Sequence, residues 1–322
     1  MKYLGRFIKN LVLKINKECN RLEKILLLIL FGSFLSPLRL PNTYNYGYQE
    51  ISPPRLICPY LNESYLNDDL TDSLNLMVSL NKGGQYLNGL CKNSEKQNVA
   101  IIVPYRNREA HLQIFLKKMH NFLIKQNQID YQIFLIEQDD QNRFNRANLL
   151  NIGFYESLKI NPKIDCFIFH DVDIIPLNLD QIYVCTNQPK HLCSYLDKFR
   201  FVLIYPTLFG GIVTINRDQF ELVNGYSNLY DGWGGEDDDF FKRVQKKFDY
   251  IQRYSSTVAR CLMIPHDSDQ QLNEERVDLL RKAISRSNID GLSNLNQTYT
   301  LEAIEFNQFY TKIKVKLRNR QK

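Results

Sequence analysis

Cys166-Phe-Ile-Phe-His-Asp-Val-Asp173 runs from an uncharged aromatic and β-branched stretch straight into two carboxylates one residue apart. Such a run predicts a short strand enclosed on both faces. Working outward, Val99-Ala-Ile-Ile-Val103 has the same character and stops at Pro104, and Tyr131 to Ile136 is again strand-like. Arg108 to Lys125 and Arg146 to Leu158 space their apolar residues as helices do. Strand alternating with helix predicts an α/β fold with a mostly parallel sheet and helices on both faces. In open sheets of this kind ligands bind beyond the carboxyl ends of the strands. Pro104-Tyr-Arg-Asn-Arg108 and Asp171-Val-Asp173 both fall at such ends.

Around this core, 322 residues leave room for one large domain or two modest ones. With 44% apolar and 24% charged residues the chain is neither disordered, fibrous nor multi-spanning. Most of the net charge of +6 sits in the first 24 residues, where Lys2, Arg6, Lys9, Lys14, Lys17, Arg21 and Lys24 face only Glu18 and Glu23. What remains is nearly neutral, which excludes a nucleic-acid surface. Ile25 to Leu38 is an uncharged apolar run between Lys24 and Arg39. Its basic flank lies on the N-terminal side, so the positive-inside bias predicts a signal anchor with everything after it luminal. The competing reading is a cleaved signal peptide. Residues 39–57, with Pro41, Pro53 and Pro54, read as a stem, and 58–322 as one catalytic domain. The chain has seven cysteines, an odd number that leaves at least one thiol free, and a luminal location permits disulfides. The sequons at Asn62 and Asn296 also become usable there.

Asp171-Val172-Asp173 suits a hard divalent cation, with one carboxylate on the metal and the other in a supporting contact. The competing reading is a polar turn capping a strand. Trp233-Gly-Gly-Glu-Asp-Asp-Asp239 sets four acids in a row. Acids favour the positive end of a helix, and Phe240 onward reads as one. The glycine-rich approach and the Trp fit a sugar site too, where a ring stacks on C–H faces and a carboxylate takes a proton. Met263-Ile-Pro-His266 gains meaning only if His266 joins Asp173 on a metal; a thioether beside them favours Mn²⁺ over Mg²⁺.

These segments, in this order, resemble the β-1,4-galactosyltransferase family, with its PFRNR, FNR-A-x-L-x-N-x-GF, DVD, FGG, GWGGEDDD and M-x-x-H motifs. Here they are Pro104 to Arg108, Phe144-Asn-Arg-Ala147 through Gly153-Phe154, Asp171 to Asp173, Phe209-Gly-Gly211, Gly232 to Asp239, and Met263 to His266. The likeness spans about Cys58 to Tyr299. It implies a GT-A fold, a type II Golgi membrane protein and inverting, Mn²⁺-dependent transfer from a UDP-sugar to the 4-hydroxyl of a GlcNAc-terminated glycan. Pro104, Tyr105, Arg106, Arg108, Phe144 and Arg146 would hold the uridine and diphosphate, with Val172, Leu208 and Gly211 also at the donor. Asp173, Met263 and His266 would ligate Mn²⁺. Trp233, Gly235, Glu236, Asp237 and Asp238 would bind sugars, and Asp237 and Glu236 would be the catalytic pair, with Asp237 the general base. The disulfides implied are Cys58–Cys91 and Cys166–Cys185, leaving Cys19, Cys193 and Cys261 unpaired.

Two departures bear on substrate. Leu208 stands where galactosyl-transferring members have a Tyr that crowds an N-acetyl group at C2 of the donor sugar. That favours UDP-GalNAc over UDP-Gal, as in invertebrate β-1,4-N-acetylgalactosaminyltransferases. Val277 replaces a Phe that covers the acceptor's N-acetyl group, and Asp267 to Arg276 is short. The alternatives are a galactosyltransferase, including the xylose-accepting type, and a non-catalytic glycan-binding relative.

Overall fold

The computed structural model describes residues 47–60, 80–89, 96–266 and 271–318. The basic tail 1–24, the apolar run 25–38, stem residues 39–46, Cys19, Asn62, Cys91 and residues 267–270 lie outside them. Among the described residues no helix is long and apolar enough to cross a membrane.

The first strand is β1 (Tyr48–Ile51), followed by the two-residue strands β2 (Leu80–Asn81) and β3 (Gln85–Tyr86). Then come β4 (Asn98–Tyr105), α1 (Glu109–Gln126), β5 (Asp130–Gln138), α2 (Arg146–Ile160) and β6 (Cys166–His170). The apolar spacing placed each of these last five to within two residues. Shorter elements follow: β7 (Ile174–Pro176), β8 (Lys190–His191), β9 (Tyr195–Leu196), β10 (Ile212–Asn216) and α3 (Arg217–Leu222). The remainder comprises α4 (Glu236–Gln245), β11 (Ile251–Tyr254), β12 (Arg260–Met263), α5 (Arg276–Arg281), α6 (Ala283–Arg286) and the hairpin β13 (Tyr299–Phe306) and β14 (Thr311–Leu317).

Among the described residues the main sheet has eleven strands, in the path β1-β11-β8-β10-β6-β4-β5-β14-β13, with β2 and β3 attached through β5. Its centre is parallel: β4 pairs with β6 from Val99↔Cys166 to Ile102↔Phe169 and with β5 from Asn98↔Asp130 to Tyr105↔Glu137. β10 runs antiparallel to both β6 and β8, and β13 antiparallel to β14, so the whole sheet is mixed. β4 also continues through Pro104, expected to stop it. Beyond Ile102 it has β5 as its neighbour but no longer β6, and a residue without an N–H is tolerated there.

Alternation along β4 explains why it reads as unbroken apolar sequence. Val99, Ile101 and Val103 pack with Leu112, Phe115 and Met119 of α1, whereas Ala100 and Ile102 pack with Leu149, Leu150 and Phe154 of α2. Both faces are buried, as a central parallel strand requires. A Cβ on Gly153 would lie 2.2 Å from Ile102 Cγ2, so the glycine lets α2 close onto the sheet.

The stem reading of 39–57 is corrected at its C-terminal side. Tyr48–Ile51 pairs in parallel with β11, from Tyr48↔Ile251 to Ile51↔Tyr254. A four-residue, partly exposed strand carries little apolar periodicity, and its partner comes far later in the chain.

Candidate active site

Beyond β6 the chain turns, the Ile174 N–H donating to Asp171 O at 3.3 Å, and it is this turn that parts the two aspartates, which strand alternation would leave on one face. Asp171 accepts from Arg146 Nε at 2.6 Å, while Asp173 Oδ2 meets His266 Nε2 at 3.0 Å. The Ile264 N–H donates to Asp173 O at 2.7 Å, and Met263 is paired with Ile174 across β12 and β7. Asp173, His266 and Met263 are thus neighbours although 90 residues of chain separate Asp173 from Met263. His266 Nδ1 lies 3.2 Å from Arg108 Nη2. Because guanidinium can only donate, Nδ1 is the acceptor and Nε2 is the nitrogen aimed at Asp173. Carboxylate oxygen, imidazole nitrogen and a nearby thioether form a donor set that fits Mn²⁺.

Arg146, on the first turn of α2, lies between Asp171 and Glu236, whose Oε1 is 3.9 Å from its Nη1. Burial opposes its charge, yet Asp171, then Tyr226 and Glu236, raise its pKa. Its Nη1 and Nη2, and Glu236 Oε2, are buried and have no hydrogen-bond partner within the protein. Buried polar groups are rarely left so, and these atoms retain the capacity to bind a ligand. Burial pushes Asp171 up to about 6 despite Arg146.

Gly235, at φ +96°, starts α4, and all four acids fill its first turn. Their fates differ. Glu236 is pushed up to about 7 by burial and then by Asp237, against the pull of Arg146. Asp238 is pushed up to about 6 by burial and Asp237, against a hydrogen bond from Tyr205. Asp239 turns inward, accepting from Arg243 Nε at 2.7 Å and Tyr230 Oη at 3.0 Å and pairing with Arg286. The first three face a cavity of about 260 Å³ that Tyr205, Trp233 and Val277 also line. Trp233 leaves 59% of its surface exposed there, while its backbone is bonded to Gln271 and Asn273. Across from the acids, a Cβ on Gly210 would lie 2.7 Å from Asp237 Oδ2, so a side chain there would push the Asp237 carboxylate aside.

Family models agree with this constellation. The model for the N-terminal region of glycosyl transferase group 7 matches residues 53–186, and that for the N-terminal domain of galactosyltransferase matches 190–267. The chain is 39% identical to mouse (Mus musculus) β-1,4-galactosyltransferase 1 over 288 residues, 88% of this chain and 71% of that protein. It belongs to the β-1,4-galactosyltransferase family. β-1,4-Galactosyltransferase 4 of Cricetulus griseus is 43% identical over 235 residues, 72% of this chain and 67% of that one. Among solved structures, the catalytic domain of Drosophila β-1,4-galactosyltransferase 7 with xylobiose aligns with a TM-score of 0.60 at 28% identity, covering 70% of this chain and 95% of that one. An Asp-to-Asn mutant of that enzyme, bound to manganese, UDP-Gal and xylobiose, aligns at 0.58 and 27% identity over the same shares.

In this transferase, residues expected at the donor are arranged unevenly. Arg106 stacks on the Phe144 ring, 5.3 Å from its centroid, and donates to Asn142 O at 2.6 Å. Tyr105 is buried, its hydroxyl 3.3 Å from Glu109 Oε2, and Val172 is buried as well. Leu208 is half-buried in the loop that ends at Gly210 and Gly211, where Gly211 O accepts from the Asp171 N–H at 3.0 Å. Cys166 and Cys185 are bonded, with Cα atoms 5.6 Å apart. Cys58 is also disulfide-bonded, and Cys193 and Cys261 are buried free thiols. Asn296 is exposed in the turn Leu292–Gln297. Sequence reasoning missed Tyr205 and Arg276 at the cavity, and His191 and Arg253 behind the Leu208 loop. Tyr205 has no local signature, and a lone Arg or His in a short strand reads as surface.

Proposed function

We propose that this transferase is a luminal, type II Golgi membrane protein that moves GalNAc, in preference to galactose, from its UDP-sugar to the 4-hydroxyl of a terminal GlcNAc, with inversion. Asp173, His266 and Met263 would hold Mn²⁺, which supplies charge neutralisation to the departing diphosphate. Arg108, by accepting no proton and donating to His266 Nδ1, keeps the ring's Nε2 turned to the metal position. Arg146 offers its two unbonded nitrogens to the diphosphate. Trp233 stacks on a sugar, and Glu236 and Asp238 hold hydroxyls. Asp237 takes the acceptor proton as oxygen attacks C1 from the face opposite UDP.

The supporting observation is that Gly210, two residues beyond Leu208, packs against Asp237. The loop that carries the donor-selecting position therefore touches the proposed base on α4. The manganese and UDP-Gal held by the Drosophila relative support the cofactor and nucleotide. The basic tail, the apolar run 25–38 and the Cys166–Cys185 disulfide support a luminal site. The xylobiose of the Drosophila relatives favours a second acceptor, xylose, against which stands the intact Gly234-Gly235 pair.

Both donors are to be assayed with Mn²⁺ on GlcNAc- and xylose-terminated acceptors. The expected result is faster GalNAc transfer to GlcNAc, and for Leu208→Tyr a shift of the donor ratio toward galactose by roughly 10–100-fold. A wild-type galactose rate well above the GalNAc rate overturns the donor assignment, and faster transfer to xylose overturns the acceptor.

A further inference from the structure

Behind the Leu208 loop a cation is buried with no carboxylate in its hydrogen-bond set. Arg253, on β11, is fully enclosed. Its Nη1 donates to Pro206 O at 2.8 Å, its Nη2 donates to Leu208 O, and its Nε donates to His191 Nδ1 at 3.2 Å. Since Nδ1 accepts, the His191 proton is on Nε2, and Nε2 donates to Gly210 O at 2.8 Å. The Tyr48 ring of β1 covers the guanidinium, 4.4 Å from its centre. The carbonyls of residues 206, 208 and 210, every second one along the loop, are therefore taken by one Arg–His relay.

Enclosing a guanidinium is costly unless its donors are filled. Burying it here for surface solubility makes no sense, and its three donor directions all lead, directly or through His191, to the same five-residue stretch. That stretch carries Leu208 and brings Gly210 to within 2.7 Å, as a virtual Cβ, of Asp237 Oδ2. Tyr205, one residue before it, bonds Asp238. A planar fork fixes both the height and the tilt of a backbone it grips at two carbonyls; an ammonium would not.

We infer that Arg253 and His191 are positioning residues that hold the 206–210 loop in register, and so set the width of the donor-sugar pocket and the seat of Asp237 without touching either substrate. This rests on the proposed role of that loop in donor choice, although not on which sugar is chosen.

The test uses the full chain carrying Arg253→Lys, and His191→Gln, whose amide can still donate to Gly210 O. Relative rates with UDP-Gal, UDP-GalNAc and UDP-Glc are measured, together with kcat and KM for each, UDP affinity in the presence of Mn²⁺, and melting temperature. Arg253→Lys should change the donor ratios by at least about fivefold and lower kcat by roughly 10–100-fold, a loss a displacement of about 1 Å can cause. UDP affinity should stay within about twofold, because the nucleotide contacts lie on other segments. His191→Gln should fall between Arg253→Lys and wild type. If wild type prefers galactose but Arg253→Lys still alters the ratios, the GalNAc reading fails and the relay stands. If the folded Arg253→Lys protein keeps wild-type donor ratios, or loses rate only in proportion to its unfolded fraction, the relay is merely structural and the inference is overturned.

Discussion

Glu236 shows how a single side chain links the site to stability. Burial, and after it Asp237, raises its pKa from 4.5 to about 7, and Asp238 rises from 3.8 to about 6 for the same two reasons. Between the lower and upper values the folded state binds protons that the unfolded chain has released. Their contribution to stability is therefore complete below about 4, and is lost as pH rises through 6 and then 7. Glu236→Gln removes the larger share of this dependence. With donor and metal absent, the melting temperature of Glu236→Gln relative to wild type should climb steadily between about pH 5 and pH 8. An offset that stays constant over that range would contradict the assignment. The acid was legible in the sequence as one of four; its burial beside Arg146 was not, because that contact comes from α2, on the far side of β6 in sequence.

The helix α4 is the element in which site and scaffold are most closely interleaved. Successive residues on a helix point in directions about 100° apart, so four acids in one turn cannot share a surroundings. Asp237 faces Gly210 and the cavity, while Asp239 is fully buried between Arg243, Arg286 and Tyr230. The two neighbours should respond oppositely to the same isosteric change. Asp237→Asn should cost roughly 10²–10⁴ in kcat and leave stability within about 1 kcal/mol. Asp239→Asn should cost about 3–5 kcal/mol of stability, because Arg243 would keep its enclosed charge with less to balance it. Denaturant midpoints and single-turnover rates measured on both variants check this; equal stability losses would refute the division. From the sequence, all four acids read as a site with a helix-end preference, and nothing local marked the fourth as an ion-pair anchor.

At the scale of the whole molecule, the sheet edge reaches into residues that read as a linker. β1 pairs with β11, and its Tyr48 lies over Arg253, which grips the donor loop. A fragment beginning at residue 58 discards that strand, whereas one beginning at 46 keeps it. The shorter fragment should melt lower, by roughly 2–4 °C for each kcal/mol lost at this size, and should transfer sugar more slowly than the longer one. Identical melting and turnover would show that β1 is dispensable. The mixed sheet has the same origin: β8, β10 and β11 are short, and short strands pair by what lies beside them, with no run long enough to announce a direction.

The amino-acid order alone determined the parallel centre of the sheet, because β4, β5 and β6 are buried on both faces and must be apolar throughout. It also determined the two strand-end motifs, since Asp171, Asp173 and Arg108 follow those strands within a few residues, and the acid-rich helix start after Gly235. Tertiary structure alone decided what meets what. The pairing of His266 with Asp173, the inward turn of Asp239, the seat of Gly210 against Asp237 and the grip of Arg253 and His191 on three alternate carbonyls all join segments remote in the chain. Apolar burial leaves a periodic trace in the sequence that bears it, whereas a hydrogen bond between distant segments leaves none in either.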